Sequence, residues 1–194
     1  EVLRQPLEDG CITVARVQST LTFPARFMLV AAMNPCPCGY HGDGRRECLC
    51  TPPQISRYLR RVSGPLLDRI DLHVEVPRVS PTDLIAQGTG EPSAAIRERV
   101  LAARERQCFR FGRTTCNALM SPRQARRHCR LDDEARAFLR STIDRLSLSA
   151  RAYDRILRIA RTIADLDGRA EVVSPDLAEA VQYRVFDRPL RLLS

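Results

Sequence analysis

Lysine and tryptophan are both missing from this sequence of 194 residues. A P-loop, the Walker A phosphate-binding motif, needs a lysine that reaches the β- and γ-phosphates. This chain therefore cannot contain a P-loop. No run of 18 or more apolar residues occurs, which excludes a membrane-spanning helix and a membrane partner. Only 5% of the residues are aromatic, so Leu, Ile, Val and Ala must form the core.

All 31 basic residues are arginine, and the net charge is +8. A basic balance suits polyanions such as nucleic acid or nucleotide phosphates. High genomic GC content is the simpler explanation for the exclusive use of arginine, and acidic residues are interleaved with many of these arginines. The apolar fraction of 44% is ordinary for a globular protein. The length allows one large domain or two small ones.

Eight cysteines occur without a secretory signal, which argues against a disulfide scaffold and favours a cytoplasmic protein. Four are scattered, and we expect them to be buried as small apolar side chains; they are Cys11, Cys108, Cys116 and Cys129. Residues 1–4 resemble neither a signal peptide nor an initiation region, and they indicate a fragment of a longer protein.

Apolar and alternating patterns in the first half predict an α/β domain. The run 27–33 is apolar throughout, as expected for a central strand of a parallel sheet covered on both faces. Pro, Gly and Cys dominate residues 34–51, which predicts a loop, and Thr51 followed by Pro52 is typical of a helix start. The predicted elements are a helix over 1–9 that Pro6 kinks or ends, a hairpin of strands 11–17 and 21–23, the strand 27–33, a helix over 54–62, a turn over 66–69 and a strand over 70–76.

The second half has the period of α-helices. Residues 79–92 are polar and contain Gly and Pro, which predicts a linker with a short turn at 81–85. Four or five helices follow as a bundle; the predicted spans are 93–109, 121–129, 132–146, 149–165 and 174–186, with Gly168 as a stop signal. The inward faces predicted for the third and fourth of these are Ala135, Phe138, Leu139, Ile143 and Leu146, and Ile156, Ile159, Ala160 and Ile163.

Three polar residues occupy positions that suit a phosphate site. Asn34 follows the apolar run, where an amide could orient a water that attacks a γ-phosphate, although Asn-Pro also initiates ordinary turns. Arg69 could fork onto two phosphate oxygens, or simply pair with one of the two neighbouring aspartates. Arg151 lies two residues after the N-cap Ser149, where a helix N-terminus favours phosphate, or it is a solvated arginine.

Four clustered cysteines, Cys36, Cys38, Cys48 and Cys50, have the spacing C-x-C-x9-C-x-C. Two close pairs separated by a loop can supply four thiolates to a tetrahedral zinc ion, and His41 could replace one of them. Reduced free thiols and an adventitious disulfide are the alternatives. The sequence favours zinc, because the cluster is dense and the chain lacks features of a secreted protein.

Several further arginines are candidates for contact with nucleic acid. They are Arg16 on the predicted hairpin and Arg57, Arg60 and Arg61 on the helix after the cysteines. Solvated helix and strand faces are the ordinary interpretation for at least half of them.

The order of five motifs resembles one family over essentially the whole chain. They are LRQPLEDG at 3–10, ITVAR at 12–16, AMNPC at 32–36, SGPLLDRID at 63–71 and SARAY at 149–153. In this order they closely resemble the magnesium-chelatase-like AAA+ ATPases of the ComM/YifB family. The resemblance implies an α/β plus all-α fold: a partial AAA+ core with parallel strands and a hairpin over 1–78, a linker over 79–92, and a helical lid over 93–194.

The same resemblance implies roles for individual residues. Asn34 would be sensor 1, Arg69 an arginine finger that completes a neighbouring subunit's site, and Arg151 sensor 2 in the lid. The hairpin over 11–24 would face a central pore and contact DNA.

The family implies hexameric rings that use ATP and Mg²⁺, and branch-migration helicase activity in natural transformation. The Walker A lysine and the Walker B carboxylates are missing, so this chain alone should not hydrolyse ATP. Two alternatives remain open: a chelatase-type motor that remodels a protein for metal insertion, and a zinc-stabilised nucleic-acid-binding module that works without ATP.

Overall fold

The computed structural model describes residues 2–17, 19–85, 90–112 and 115–184. It divides into two compact units, the first within 1–70 and 75–78, the second within 71–74 and 79–194. Together they make a mixed α/β chain in which strands occur only in the first unit, as far as the structure is described. In the described ranges, no helix combines the length and hydropathy needed to cross a bilayer.

The first unit begins with a short helix and a hairpin. Helix α1 spans Arg4–Asp9, and strands β1 (Cys11–Arg16) and β2 (Ser19–Pro24) follow it. Pro6 does not end the helix as predicted, because it lies in the first turn, where a backbone N–H has no partner inside the helix. The helix ends instead at Gly10, whose φ of 65° is the left-handed conformation that glycine adopts most easily.

The hairpin prediction is confirmed. Strand β1 pairs with β2 in antiparallel register, and Arg16 lies opposite Ser19 at one end of the ladder. Apolar side chains of both strands are exposed, including Phe23 at 51%. A two-stranded ribbon without a covered face is marginally stable in water.

The two other predicted strands are absent. Residues 25–34 have no regular secondary structure, and Met28 and Val30 are 88% and 82% exposed. Residues 72–80 are equally irregular, and Val76 is 84% exposed. A central parallel strand needs hydrogen-bonded neighbours and a cover on each face. The described residues provide neither, since β1 and β2 pair only with each other, so the parallel-sheet prediction is wrong for this structure.

Two helices complete the first unit. Helix α2 spans Pro52–Leu59, close to the prediction, and its N-cap is Thr51, whose backbone N–H donates to Oε1 of Gln54 at 2.8 Å. Helix α3 spans Gly64–Leu67, where a break and a turn were expected. Its start is compatible with Pro65, because proline is tolerated in the first turn of a helix.

The second unit is helical. Its helices are α4 (Pro81–Ile85), α5 (Ser93–Phe111), α6 (Pro122–His128), α7 (Asp133–Leu146), α8 (Ala150–Leu166) and α9 (Ser174–Gln182), with a 3₁₀ turn at Asn117–Leu119 that was not predicted. The predicted bundle is therefore confirmed. The last helix ends before Phe186, which lies outside the described residues.

Side-chain caps fix three helix starts of this bundle. The side chains of Ser121, Asp132 and Ser149 accept hydrogen bonds from backbone N–H groups one turn into α6, α7 and α8. Each cap satisfies a donor that the helix itself leaves unpaired. The local sequence at these three sites therefore determines where each helix begins.

Helix α8 forms the centre of the core. Its Ile156 and Ala160 are fully buried, as predicted, whereas Ile159 and Ile163 pack partly buried against the same cluster. Among the scattered cysteines only Cys129 is buried; Cys11, Cys108 and Cys116 are half-buried.

A buried polar network also crosses this core. Asp165 of α8 is 0% exposed and pairs with Arg110 of α5 and, at 3.1 Å, with Arg161. The amide of Asn117 donates to the same carboxylate at 2.8 Å. Arg161 donates further to the backbone oxygens of Ala170 and Arg169 at 2.7 and 2.6 Å. Burial lowers the pKa of Arg161, and these partners offset the cost of its desolvation.

Candidate functional site

A glycine-rich loop between β2 and α2 brings the four clustered cysteines together. Gly39 and Gly42 both have a φ of 83°, a conformation that side chains with a Cβ rarely adopt. The Gly39 N–H donates to the Cys36 carbonyl at 3.1 Å, which closes a tight turn around the first two cysteines. The predicted loop over 34–51 is confirmed. Its glycines allow the backbone to turn back on itself, which brings the two cysteine pairs together.

The four sulfur atoms are spaced as a tetrahedral metal site requires. The Sγ atom of Cys36 lies 3.3 Å from that of Cys38 and 3.7 Å from that of Cys48, and the last two are 3.6 Å apart. All four ligand atoms, including Cys50 Sγ, lie within 4.8 Å of one another. Zn–S bonds of about 2.3 Å in a tetrahedron place sulfurs about 3.8 Å apart. The four cysteines therefore fit a metal ion that is coordinated by four thiolates.

Neither a disulfide nor a histidine ring belongs to this cluster in the described part of the chain. No disulfide links the described cysteines, and sulfurs 3.3 Å apart are beyond the S–S bond length of about 2.05 Å. His41 contributes its backbone N–H, which lies 3.4 Å from Cys36 Sγ, whereas its ring is not in the cluster. Hydrogen bonding, first from the backbone at Tyr40, lowers the pKa of Cys38 to about 6, whereas desolvation and the neighbouring thiols raise the pKa of Cys48 to about 12. A thiolate is the form that binds a metal.

Polar contacts brace the outside of the cysteine loop. Arg46 donates to the Tyr40 hydroxyl at 2.6 Å, and its guanidinium lies 5.1 Å from the centre of that ring. Asp43 accepts from the Arg46 backbone N–H at 3.1 Å and from the Arg78 side chain at 3.0 Å.

A cleft of about 650 Å³ lies between this loop and α2. Two of the clustered cysteines form part of one wall, and a polar stripe of the helix and the following turn forms the other. The lining residues are Pro37, Cys38, Leu49, Cys50, Gln54, Arg57, Tyr58 and Arg61. Arg60, the third arginine predicted here, does not line the cleft. Gln54, Arg57 and Tyr58 share one face of α2, whereas Arg60 and Arg61 follow the end of the helix at Leu59, so the turn decides which of these two lines the cleft.

Asn34 lies beside the cysteine loop. It is exposed, and a Cβ added at Gly39 would lie 3.9 Å from its Nδ2 atom. The strand that was expected to end at Asn34 is absent, so the loop positions this amide.

Arg69 is held within the first unit by a residue that the sequence did not suggest. Its Nη2 atom forms an ion pair with Glu8 of α1, and its Nη1 donates to the Pro65 carbonyl at 2.6 Å. The side chain is only 15% exposed. Pairing with a neighbouring aspartate was the ordinary alternative; Glu8 is the partner instead, because α1 lies against the turn after α3.

The remaining candidates lie on exposed elements. Arg16 is the last residue of β1, and its side chain is exposed. Arg151 is exposed in the first turn of α8, in the second unit, where the Ser149 hydroxyl accepts from the Ala152 N–H at 3.2 Å. Thus the structure gathers the cysteines, Asn34 and two arginines around one loop, whereas Arg151 belongs to the other unit.

Two family models match this chain. One is described as magnesium chelatase, subunit ChlI, and matches residues 1–84; the other is the ChlI C-terminal model and matches residues 90–184.

Curated proteins are similar along the full length of this chain. The competence protein ComM of Haemophilus influenzae is 48% identical over 196 residues, which is 100% of this chain and 38% of that protein. The YifB protein of Escherichia coli is 45% identical over 193 residues, which is 98% of this chain and 37% of YifB. The chain thus spans less than two fifths of the length of these relatives.

Proposed function

The chain belongs to the magnesium chelatase ChlI family, with the ComM and YifB proteins among its relatives, and from this we propose that it is part of a hexameric AAA+ ATPase that acts on DNA in the cytoplasm. The observation that carries the proposal is the 48% identity to a competence protein over the whole chain. Competence concerns the uptake of DNA, so branch migration or unwinding of DNA in transformation or recombination is the activity we assign to the full-length protein.

The proposed division of labour follows the family. Residues 1–78 are the carboxyl-terminal part of the AAA+ core, 79–92 are a linker and 93–194 are the helical lid. ATP and Mg²⁺ are the cofactors of the full-length protein. Because this chain has no lysine, the P-loop contacts to the β- and γ-phosphates come from another segment of that protein, and this chain alone is inactive.

Arg69 is the proposed arginine finger. Its guanidinium forms an ion pair with Glu8 and donates to the Pro65 carbonyl. In this structure the positive charge of Arg69 is therefore balanced by the Glu8 carboxylate. A neighbouring subunit's γ-phosphate carries more charge than a carboxylate and offers two oxygens to the guanidinium group. Transfer of Arg69 from Glu8 to that phosphate would make hydrolysis depend on assembly of the ring, since fingers contribute about 10³–10⁵ in rate.

Asn34 and Arg151 are the proposed sensors. The exposed amide of Asn34 can accept a hydrogen bond from a water and hold it in line with a γ-phosphate. Arg151 stands in the first turn of α8, where unpaired N–H groups and the helix dipole favour an anion. Its contact with nucleotide would let the helical lid follow the hydrolysis state.

Zinc is the proposed ion of the four-cysteine cluster. Four thiolates complete a tetrahedron and leave no open position for a substrate, so the ion would be structural. The nucleic-acid contacts proposed for this chain are Arg16 on the hairpin and Arg57, Arg60 and Arg61 around α2.

The proposed function is tested by the ATPase activity of the full-length protein with and without DNA. We expect DNA to stimulate hydrolysis. We expect Arg69→Ala to retain nucleotide binding and to lower turnover by about 10³-fold or more. Arg97→Ala removes an equally charged, exposed arginine of α5 and serves as the matched control. Retained turnover in Arg69→Ala would exclude the finger role.

A chelatase-type motor that remodels a protein for metal insertion is the second candidate, favoured by the description of both family models. ATP hydrolysis that is indifferent to DNA, together with no DNA binding at moderate salt, would support it. The third candidate, a zinc-stabilised nucleic-acid-binding module without ATPase activity, predicts DNA binding by a full-length protein that does not hydrolyse ATP.

A further inference from the structure

We propose that the cleft between the four-cysteine loop and α2 binds single-stranded DNA, and that the metal centre shapes one wall of this site. The proposal rests on the proposed DNA-directed function and names where the contact is made. It does not require a ring, because every lining residue belongs to the first unit.

The helix wall of the cleft is polar where a packed helix would be apolar. A surface helix packs its apolar face against the core and carries polar side chains on the opposite face. Here Gln54, Arg57 and Tyr58 of α2, with Arg61 in the turn after the helix, border an open cleft.

The two arginines of this face are uncommitted. The side chains of Arg57 and Arg61 form no ion pair or hydrogen bond with any described residue, whereas those of Arg69 and Arg78 in the same unit pair with Glu8 and Asp43. Of the described residues that line the cleft, none is acidic. Two unneutralised guanidinium groups on one wall complement the regular negative charge of a phosphate backbone.

Tyr58 points to a single strand rather than a duplex. It is half-buried, lines the cleft and lies between the two arginines in the sequence. An aromatic ring provides a platform for a base that is not stacked inside a duplex, and stacking of this kind accepts any base. Arginines that hold the backbone beside such a ring are the usual arrangement of single-strand binding grooves.

The opposite wall depends on the metal centre. Cys38 and Cys50 belong to the four-sulfur cluster and also line the cleft, with Leu49 exposed at its edge. If the ion leaves, the four sulfur atoms lose the bonds through which it would hold the two cysteine pairs together. DNA binding should therefore weaken when the metal is removed, even though neither arginine is a ligand.

The test is a titration of fluorescein-labelled oligo(dT) of about 15 nucleotides with the 194-residue chain, followed by anisotropy at several salt concentrations. Arg57→Gln and Arg61→Gln should each reduce the slope of log K against log [salt] by about 0.7. Tyr58→Ala should weaken binding by roughly 5- to 150-fold, the range that stacking on one base supports. Tyr58→Phe should bind as wild type, because stacking needs the ring and not the hydroxyl.

Two controls make this test specific. Arg45→Gln removes the same charge from an exposed arginine of the cysteine loop that does not line the cleft, and its salt slope should be unchanged. Removal of the metal by a chelator should lower affinity while circular dichroism shows that the helices of the second unit persist.

Three results would overturn the proposal. The first is no binding of oligo(dT) by the wild-type chain. The second is an equal change of the salt slope in Arg45→Gln and in the two cleft variants. That result would mean that DNA binding is only a nonspecific attraction to positive charge. The third is tighter binding of oligo(U) than of oligo(dT), which would make RNA the occupant. None of these decides the proposed function, which depends on whether DNA stimulates ATP hydrolysis by the full-length protein.

Discussion

The two units of this chain keep their shape by different means. In the second unit, side chains such as Ile156, Leu157 and Leu177 are at most 1% exposed. In the first unit, Met28 and Leu49 are more than 80% exposed, and among its described residues only a proline of α1 and Cys36 are buried. The second unit is held by a hydrophobic core, and the first is not.

This difference explains where the cysteines are. A small unit that cannot bury enough apolar surface needs a staple such as a metal ion or disulfides. The clustered thiols include Cys36, which is 1% exposed in a unit that buries little else, whereas the bundle needs none of them. A metal centre would stabilise the first unit, as the packing of side chains around α8 stabilises the second.

Loss of the metal should destabilise the first unit much more than the second. Binding of a structural zinc ion supplies about 10–16 kcal/mol at neutral pH. We expect one zinc per chain by metal analysis. We expect Cys36→Ser or chelation to expose the amides of residues 34–51 to hydrogen exchange while α8 stays protected.

Cys11→Ser is the matched control, since Cys11 lies outside the cluster; it should keep the metal. A metal-free chain with unchanged exchange in residues 34–51 would show that the first unit has another source of stability.

Removal of the buried carboxylate of Asp165 should destabilise the second unit by about 3–5 kcal/mol. Asp165→Ala leaves the guanidinium groups of Arg110 and Arg161 facing each other without the anion between them. Denaturation in urea, followed by hydrogen exchange in α8, measures this loss. Asp165→Asn keeps the shape and should cost less. A cost below about 1 kcal/mol for Asp165→Ala would mean that solvent reaches the network.

Matched truncations of apolar side chains should have different effects on stability in the two units. Leu157→Ala, at a site that is 1% exposed, should cost the second unit about 2–5 kcal/mol. Met28→Ala, at a site that is 88% exposed, should change stability by less than about 0.5 kcal/mol. Thermal unfolding of the 194-residue chain measures both. A large cost of Met28→Ala would show that residues 25–34 are covered in solution.

The second unit was the more predictable of the two. Its helix starts are written in local sequence, because Ser121, Asp132 and Ser149 cap the helix that each precedes. Its inward faces follow the helical period, so Ile156 and Ala160 were placed correctly. The polar network around Asp165 was missed, because its members come from α5, the 3₁₀ turn and α8, and no local pattern joins them.

In the first unit, the sequence predicted the features that depend on short-range geometry and failed to predict those that depend on distant residues. The hairpin follows from alternation and a short connection, and the cysteine loop follows from spacing. The strand over 27–33 was inferred from apolar character alone, which reports a preference for burial but does not supply the neighbouring strands. Arg69 stood out by its position in a motif, but its partner Glu8 lies 61 positions away in the sequence, beyond any local rule.

Sequence alone was sufficient to exclude a P-loop, to recognise the family, and to identify the capped helix starts of the bundle and the four potential metal ligands. These depend on residue identity, spacing and interactions within a few residues. Tertiary structure alone decided that the four sulfurs share one site, that two uncommitted arginines face it across a cleft, and that Glu8 holds Arg69. Distance and burial arise only when the chain folds, and they determine which charges are neutralised and which stay available for a ligand.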